Sequence, residues 1–169
     1  MFRVWSAACS SGEEAYSAAM VLADRLDKVP WEVIGTDLST RVLKRARKGH
    51  YKMERIEGIP KDYLRRFCLK GTGQFEDTLL IDSLIRTRVC FSYANLNRTL
   101  PQLGDFDVIF LRNVLIYFNQ ATKREIVRRV LELFKPDGYL LTGHSDTLKG
   151  VQYELEMRAP AIYQKSKIA

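Results

Sequence analysis

Cysteine, histidine and glycine are all scarce in this chain of 169 residues, and each shortage removes a class of function. The three cysteines, Cys9, Cys68 and Cys90, are odd in number and widely spaced. With no C-x-x-C among them, neither a disulfide framework nor a zinc site is suggested. The two histidines, His50 and His144, do not supply a metal-ligand spacing either. The ten glycines fall into neither G-x-x-x-x-G-K-[ST] nor G-x-G-x-x-G. A P-loop is therefore excluded and a pyrophosphate cradle is poorly supported. No apolar run approaches the roughly eighteen residues that span a bilayer, and Met1 leads straight into a strand-like segment rather than a basic and then apolar leader. The expectation is a soluble intracellular protein. Low complexity is excluded by five prolines, ten glycines and 46% apolar residues. The length suits one domain with a core of its own.

What the chain does have is positive charge in one place. Its formal net charge is +7, yet residues 41–70 hold eleven Lys and Arg against three acids, so this stretch carries +8 and the remainder sums to −1. A concentrated basic face can attract a phosphate backbone, an anionic membrane surface or an acidic protein segment. It is equally the composition of a solvated helix surface. No aromatic-interleaved basic motif of the single-stranded nucleic-acid kind accompanies the charges, so nucleic acid is not the expected partner.

Periodicity organises the chain into alternating strands and helices. Phe2–Ala7 reads as a buried strand, followed by the small residues Ala8 to Gly12 and by a helix with Tyr16, Ala19, Met20, Ala23 and Leu26 on one face. Glu13 and Glu14 stand in its first turn, where the helix dipole favours acids. Trp31–Thr36 is a second strand closed by Asp37, completing a βαβ unit. A basic helix capped by Ser39 or Thr40 is expected to end at Gly49, and a short helical piece at Pro60–Phe67. Thr87–Tyr93 and Asp105–Phe110 read as strands, Ala121–Phe134 as a helix stopped by Pro136, Asp137 and Gly138, and Tyr139–Gly143 as a strand. The tail reads as two short strands bent at Pro160. This pattern predicts an α/β fold with a mostly parallel sheet and an antiparallel edge.

In such a sheet ligands bind beyond the carboxyl ends of the strands, where strand order reverses. Three strand ends carry chemistry: ACSSGEE after the first strand, Asp37 after the second, and Arg112, Asn113 and Tyr117 after FDVIFL. Asp37 suits ribose hydroxyls, and the single Gly12 suits a nucleoside without a pyrophosphate. The neighbours His144, Ser145 and Asp146 include the residue types of a hydrolase triad. Adjacent residues on one segment point apart, however, and cannot form the relay.

The ordered segments WSAACSSGEEAYSAAM, IGTDLS, YANL, FDVIFLRNVLIYF and LFKPDGYLLTGHSD together resemble the CheR-type chemotaxis receptor glutamate methyltransferases. GEE-x-YS-x-AM and RNVLIYF are far more specific than a generic glycine motif. The resemblance implies a Rossmann-like class I S-adenosylmethionine-dependent methyltransferase fold with a small β insertion, expected near residues 70–90. It also implies a cytoplasmic setting and methyl esterification of glutamates on the signalling helices of methyl-accepting chemotaxis receptors. By the same resemblance Glu13 would contact the methionine amino group of S-adenosylmethionine, Asp37 the ribose, and Asn95 with Leu96 the adenine. Arg112 and Asn113 would line the cofactor pocket and Tyr117 would face the methyl-transfer centre. The family's N-terminal helical domain is expected to be absent, the chain starting at the first strand of a catalytic domain that covers residues 1–169. Ala8, Ala15, Leu111, Asp137 and Asp146 depart from the family's more usual Gly, Pro, Cys, Gly and Glu. The competing readings are a non-catalytic module that binds S-adenosylmethionine or S-adenosylhomocysteine, and a methyltransferase acting on another substrate.

Overall fold

The computed structural model describes residues 1–56, 58–146, 148 and 155–166. Strand β1 (Phe2–Ala7) is central, and helix α1 (Glu13–Arg25) carries the chain to β2 (Trp31–Asp37). Helix α2 (Thr40–Lys48) is capped by the Ser39 hydroxyl, which accepts from the amide of Val42, and stops at Gly49 in a left-handed conformation. A small sheet follows, built from β3 (His50–Lys52), β4 (Cys68–Lys70) and β5 (Thr78–Ile81), with helix α3 (Lys61–Phe67) between its first two strands. Helix α4 (Ser83–Arg86), capped by Asp82, leads into β6 (Val89–Tyr93). Strand β7 (Phe106–Leu111), helix α5 (Gln120–Leu131), β8 (Phe134–Thr142), β9 (Leu155–Ala159) and β10 (Ile162–Lys165) complete the chain.

The main sheet has the order β6-β2-β1-β7-β8-β10-β9, parallel from β6 through β8 and antiparallel at its β10–β9 edge. The chain builds outward from β1 to β6 and then returns to place β7 against the other side of β1. The reversal of strand order therefore lies between β1 and β7. Alternation along the strands sorts the core into two layers. Trp5, Ala7, Ile109, Leu111 and Leu140 pack against Ile126, Val127 and Val130 of α5, while Val4, Val33 and Val89 pack with Ala15, Ala19 and Met20 of α1. On the α1 side, Phe2, Val108 and Phe110 remain only partly covered, leaving a groove of about 410 Å³ that ends at Glu14 and Arg112.

Three expectations are corrected by packing. The small sheet spans residues 50–81 rather than 70–90, because Val89–Tyr93 is taken into the main sheet by pairing with Val33–Asp37. Helix α5 ends at Leu131, not Phe134: the Leu133 carbonyl accepts from the Phe106 amide, which draws the chain into the sheet one turn early. Pro136–Gly138 lies within β8, not before it. There the register with β7 jumps from Phe106↔Phe134 to Val108↔Tyr139, so the proline occupies a bulge where no ladder donor is required. Of the tail read as strand, Tyr153 and Glu154 lie outside the described residues. No helix among the described residues is long and apolar enough to cross a membrane.

Candidate functional site

The loop after β1 turns tightly because three of its residues adopt left-handed backbone: Ala8 at φ 60°, Ser10 at φ 51° and Gly12 at φ 93°. Gly12 is required twice over. Its φ is unfavourable for any side chain, and a Cβ there would lie 2.9 Å from the Ala46 Cβ and 3.0 Å from the Phe91 ring. The loop is braced from outside the main sheet by the Tyr51 hydroxyl, which donates to the Ser11 carbonyl at 2.7 Å, and by Arg55, paired with Glu13 at 3.2 Å. Neither brace carries a signal in the sequence, since both residues lie in the basic stretch that reads as surface.

Asp37 stands where β2 ends and ties the loop to the next element. One carboxylate oxygen accepts from the Ser10 amide at 2.9 Å and the other from the Ser39 amide at 2.8 Å, while its carbonyl accepts from the Ala94 amide. Each oxygen keeps a free lone pair, so an anchored carboxylate can still accept from a vicinal diol. Asn95 follows within one turn of the end of β6, its side-chain carbonyl accepting from the Asn97 amide at 2.9 Å. Leu96 is 8% exposed and packs into the α5-side core, so it offers the crevice a wall and no polar side chain.

On the β7 side, Arg112 pairs with Glu14 at 3.1 Å, and Glu14 also accepts from the Ser6 hydroxyl at 2.7 Å. The carboxylate of Glu13 is instead held by Ser11 and Arg55, so the acid that joins the β7 residues is Glu14. A helix turns each residue by about 100°, so consecutive acids in the first turn face different neighbours, and one-dimensional spacing does not choose between them. Asn113 is left-handed at φ 54°, and Tyr117 ends a single 3-10 turn, Leu115–Tyr117, with 78% of its surface exposed. Beneath this loop lies Asp146, which is 2% exposed and accepts from the amides of Asn113, Ile116 and Gly143. Its carboxylate is directed at these amides, and among the described residues no bond joins it to the His144 or Ser145 side chain. The structure thus gathers Asp37, Asn95, Glu14, Arg112, Asn113 and Tyr117 at the carboxyl ends of the parallel strands, around the β1 loop.

The thiol nearest this crevice is not a nucleophile. Burial, reinforced by the negative charge of Asp37, pushes Cys9 up to about 12, and the residue is 4% exposed. Burial both shields the Cys9 thiol and disfavours its thiolate, so a disulfide reagent should modify exposed Cys90 first and leave Cys9 intact until the protein unfolds. Mass mapping of the labelled peptides checks this; early labelling of Cys9 would show that the loop opens in solution.

These residues fit an S-adenosyl group. One anchored carboxylate stands at the end of β2 and another in the first turn of α1, an amide side chain follows β6, and the turn after β1 carries only small side chains. Comparison with known proteins points to the same cofactor. The model of the family described as "CheR methyltransferase, SAM binding domain" matches residues 1–163. The chemotaxis protein methyltransferase of Escherichia coli is 42% identical over 171 residues, covering 98% of this chain and 59% of the relative. That of Borreliella burgdorferi is 39% identical, covering 97% and 58%. The chain thus spans about three-fifths of the length of these relatives. Among solved structures, a TehB-like SAM-dependent methyltransferase from Corynebacterium glutamicum superposes with TM-score 0.56 at 13% identity, covering 99% of this chain and 80% of that one. The glycopeptide N-methyltransferase MtfA complexed with S-adenosylmethionine gives 0.52 at 19% identity, covering 84% and 46%. The fold is that of the class I S-adenosylmethionine-dependent methyltransferases, and S-adenosylmethionine is the cofactor.

Proposed function

The chain belongs to the CheR methyltransferase family, and from that premise we propose that it esterifies glutamate side chains on the cytoplasmic signalling helices of chemotaxis receptors, giving glutamyl methyl esters. The cofactor supplies a methyl group on a positively charged sulfur. A glutamate carboxylate is already an ionised nucleophile near neutral pH, so the protein's task is alignment and not proton removal. With the cofactor held in the crevice, one oxygen of the substrate carboxylate would form the new bond to the methyl carbon as that carbon's bond to sulfur breaks, and no proton would need to move.

The observation that carries this reading is the composition of the crevice: Asp37 at the end of β2, Asn95 after β6 and Arg112 after β7, the last paired with Glu14 of α1, beside a buried Cys9. Asp37 would hold the ribose hydroxyls, with Asn95 and Leu96 bordering the adenine. The amino-acid moiety would lie near the first turn of α1. There Glu13 is the residue expected from the resemblance, and Glu14 is the acid joined to Arg112. Arg112 and Asn113 would line the cofactor pocket, and Tyr117 with Arg112 would border the methyl-transfer centre.

Incubation with labelled S-adenosylmethionine and either receptor fragments, RNA or DNA tests the proposal. Base-labile label on receptor glutamates is the expected result, because carboxyl methyl esters hydrolyse far more readily than N-methyl groups. Base-stable label or label on nucleic acid would overturn it, and cofactor binding without transfer to any of them would favour the non-catalytic module.

The substrate is acidic, and helix α2 bears on its approach. Leu43 and Ala46 face inward, and Arg41, Lys44, Arg45, Arg47 and Lys48 are exposed. The helix starts three residues after Asp37 and runs about 13 Å at 1.5 Å per residue. Its basic surface therefore begins beside the crevice and extends away from it. Replacing Arg45, Lys48 and Lys52 together with Glu should slow association with receptor fragments and flatten its salt dependence, while cofactor affinity stays within about twofold. Stopped-flow association across a salt series measures this, and an unchanged salt slope would remove α2 from the substrate path.

A further inference from the structure

Asp146 is a carboxylate almost wholly withdrawn from solvent, yet among the described residues it forms no ion pair. Its partners are three backbone amides from two separate segments. One oxygen accepts from the amides of Asn113 at 2.5 Å and Gly143 at 3.1 Å, and the other from the amide of Ile116 at 3.1 Å. Asn113 and Ile116 belong to the loop after β7, and Gly143 follows β8, so one carboxylate joins the ends of neighbouring strands. A charged acceptor is a stronger partner for an amide than a neutral one, and a buried one is not diluted by water.

Two local features depend on this clamp. Asn113 is in left-handed backbone, which asparagine tolerates better than most residues, and the bond from its amide to Asp146 holds it there. Gly143 lacks the Cβ that would lie 2.7 Å from the Asp146 carboxylate and 2.5 Å from the Asn113 side-chain oxygen, so the carboxylate can close on the loop. The Ile116 amide lies at the start of the 3-10 turn that ends at Tyr117. A carboxylate there satisfies a donor that the turn itself leaves free.

We propose that Asp146 is a positioning residue for methyl transfer: its carboxylate clamps the Arg112–Tyr117 loop to the end of β8 and fixes the direction in which Arg112 and Tyr117 are presented to the crevice. The proposal rests on the placement of those two residues at the transfer centre under "Proposed function". Asp146 itself touches neither substrate nor cofactor.

The two oxygens make the proposal separable from a general role in folding. In Asp146→Asn the amide oxygen can keep the bonds to Asn113 and Gly143, whereas the amide nitrogen is turned on the Ile116 donor. The support of the Tyr117 turn is lost and the support of the cofactor side is retained. In the full chain, kcat for methyl transfer to receptor fragments should fall by about tenfold or more, while the KM for S-adenosylmethionine and the Kd for S-adenosylhomocysteine stay within about threefold. In a Tyr117→Phe background the same substitution should cost less than it does in the unmutated chain, since the bond lost in Asp146→Asn is the one that supports the Tyr117 turn.

Unchanged kcat, a parallel loss of cofactor affinity, or full additivity with Tyr117→Phe would overturn the proposal. Should the variant not fold, hydrogen exchange on the unmutated protein decides the clamp. The amides of Asn113 and Ile116 should be protected to the level of α5, and exchange at loop rates would overturn it. Absence of transfer by the unmutated chain would instead overturn the functional reading on which the proposal rests.

Discussion

Replacing Asp37 by alanine should weaken binding of S-adenosylhomocysteine by more than about tenfold, measured by calorimetric titration. The carboxylate would make charge-assisted hydrogen bonds to ribose hydroxyls, each worth roughly 1.5–3 kcal/mol, or about ten- to 150-fold in affinity. It also anchors the amides of Ser10 and Ser39, so alanine loosens the loop as well as removing the ligand group. Asp37→Asn separates the two effects, because it keeps an acceptor for one of those amides while losing the charge. Affinity unchanged in both variants would remove Asp37 from the site. Loss in the alanine variant alone would make it an anchor of the loop and not a ligand.

Trp5→Ala should cost about 3–5 kcal/mol of stability and lower the melting midpoint by about 10 °C or more, read by calorimetry or circular dichroism. Trp5 is fully buried on β1, stacks on Phe106 with ring centroids 5.7 Å apart, and donates its indole N–H to Thr36 at 3.0 Å. Alanine leaves a large cavity between the sheet and α5, and it strands the Thr36 hydroxyl, itself 1% exposed. Trp5→Phe keeps most of the apolar volume and should recover most of the loss. A midpoint shift of only a degree or two for the alanine variant would mean that the α5-side core collapses around the gap.

Local chemistry made much of the fold legible in the sequence. Phe2–Ala7, Trp31–Asp37 and Val89–Tyr93 form where apolar and β-branched runs end in turn residues. The Ser39 cap and the Gly49 stop bound α2 as expected, because capping is a contact within one turn. Placement of the site at the strand ends follows from α/β topology, which the alternation of elements already implies. Ala8 is a more local case. It stands where the resembled family more usually has glycine, and its φ of 60° is the conformation that glycine adopts most easily.

What sequence by itself determined here is the type and order of the elements and the strand ends where chemistry collects, since those depend on interactions within a few residues. Tertiary structure decided the rest. Glu14 and not Glu13 reaches Arg112, because that pairing depends on which way α1 is rotated against β7. Lys135–Gly138 became a bulge in β8 because Leu133 is already bonded to Phe106, 27 residues earlier in the chain. Tyr51 and Arg55 brace the β1 loop because the small sheet folds back on it, which their place in a run of basic residues does not reveal. Asp146 reads as one more polar residue in a loop. Only its burial beneath Asn113 and Ile116, 33 and 30 residues away, makes it the carboxylate that joins two strand ends. Contacts of that range arise from how layers pack, and no local pattern encodes them.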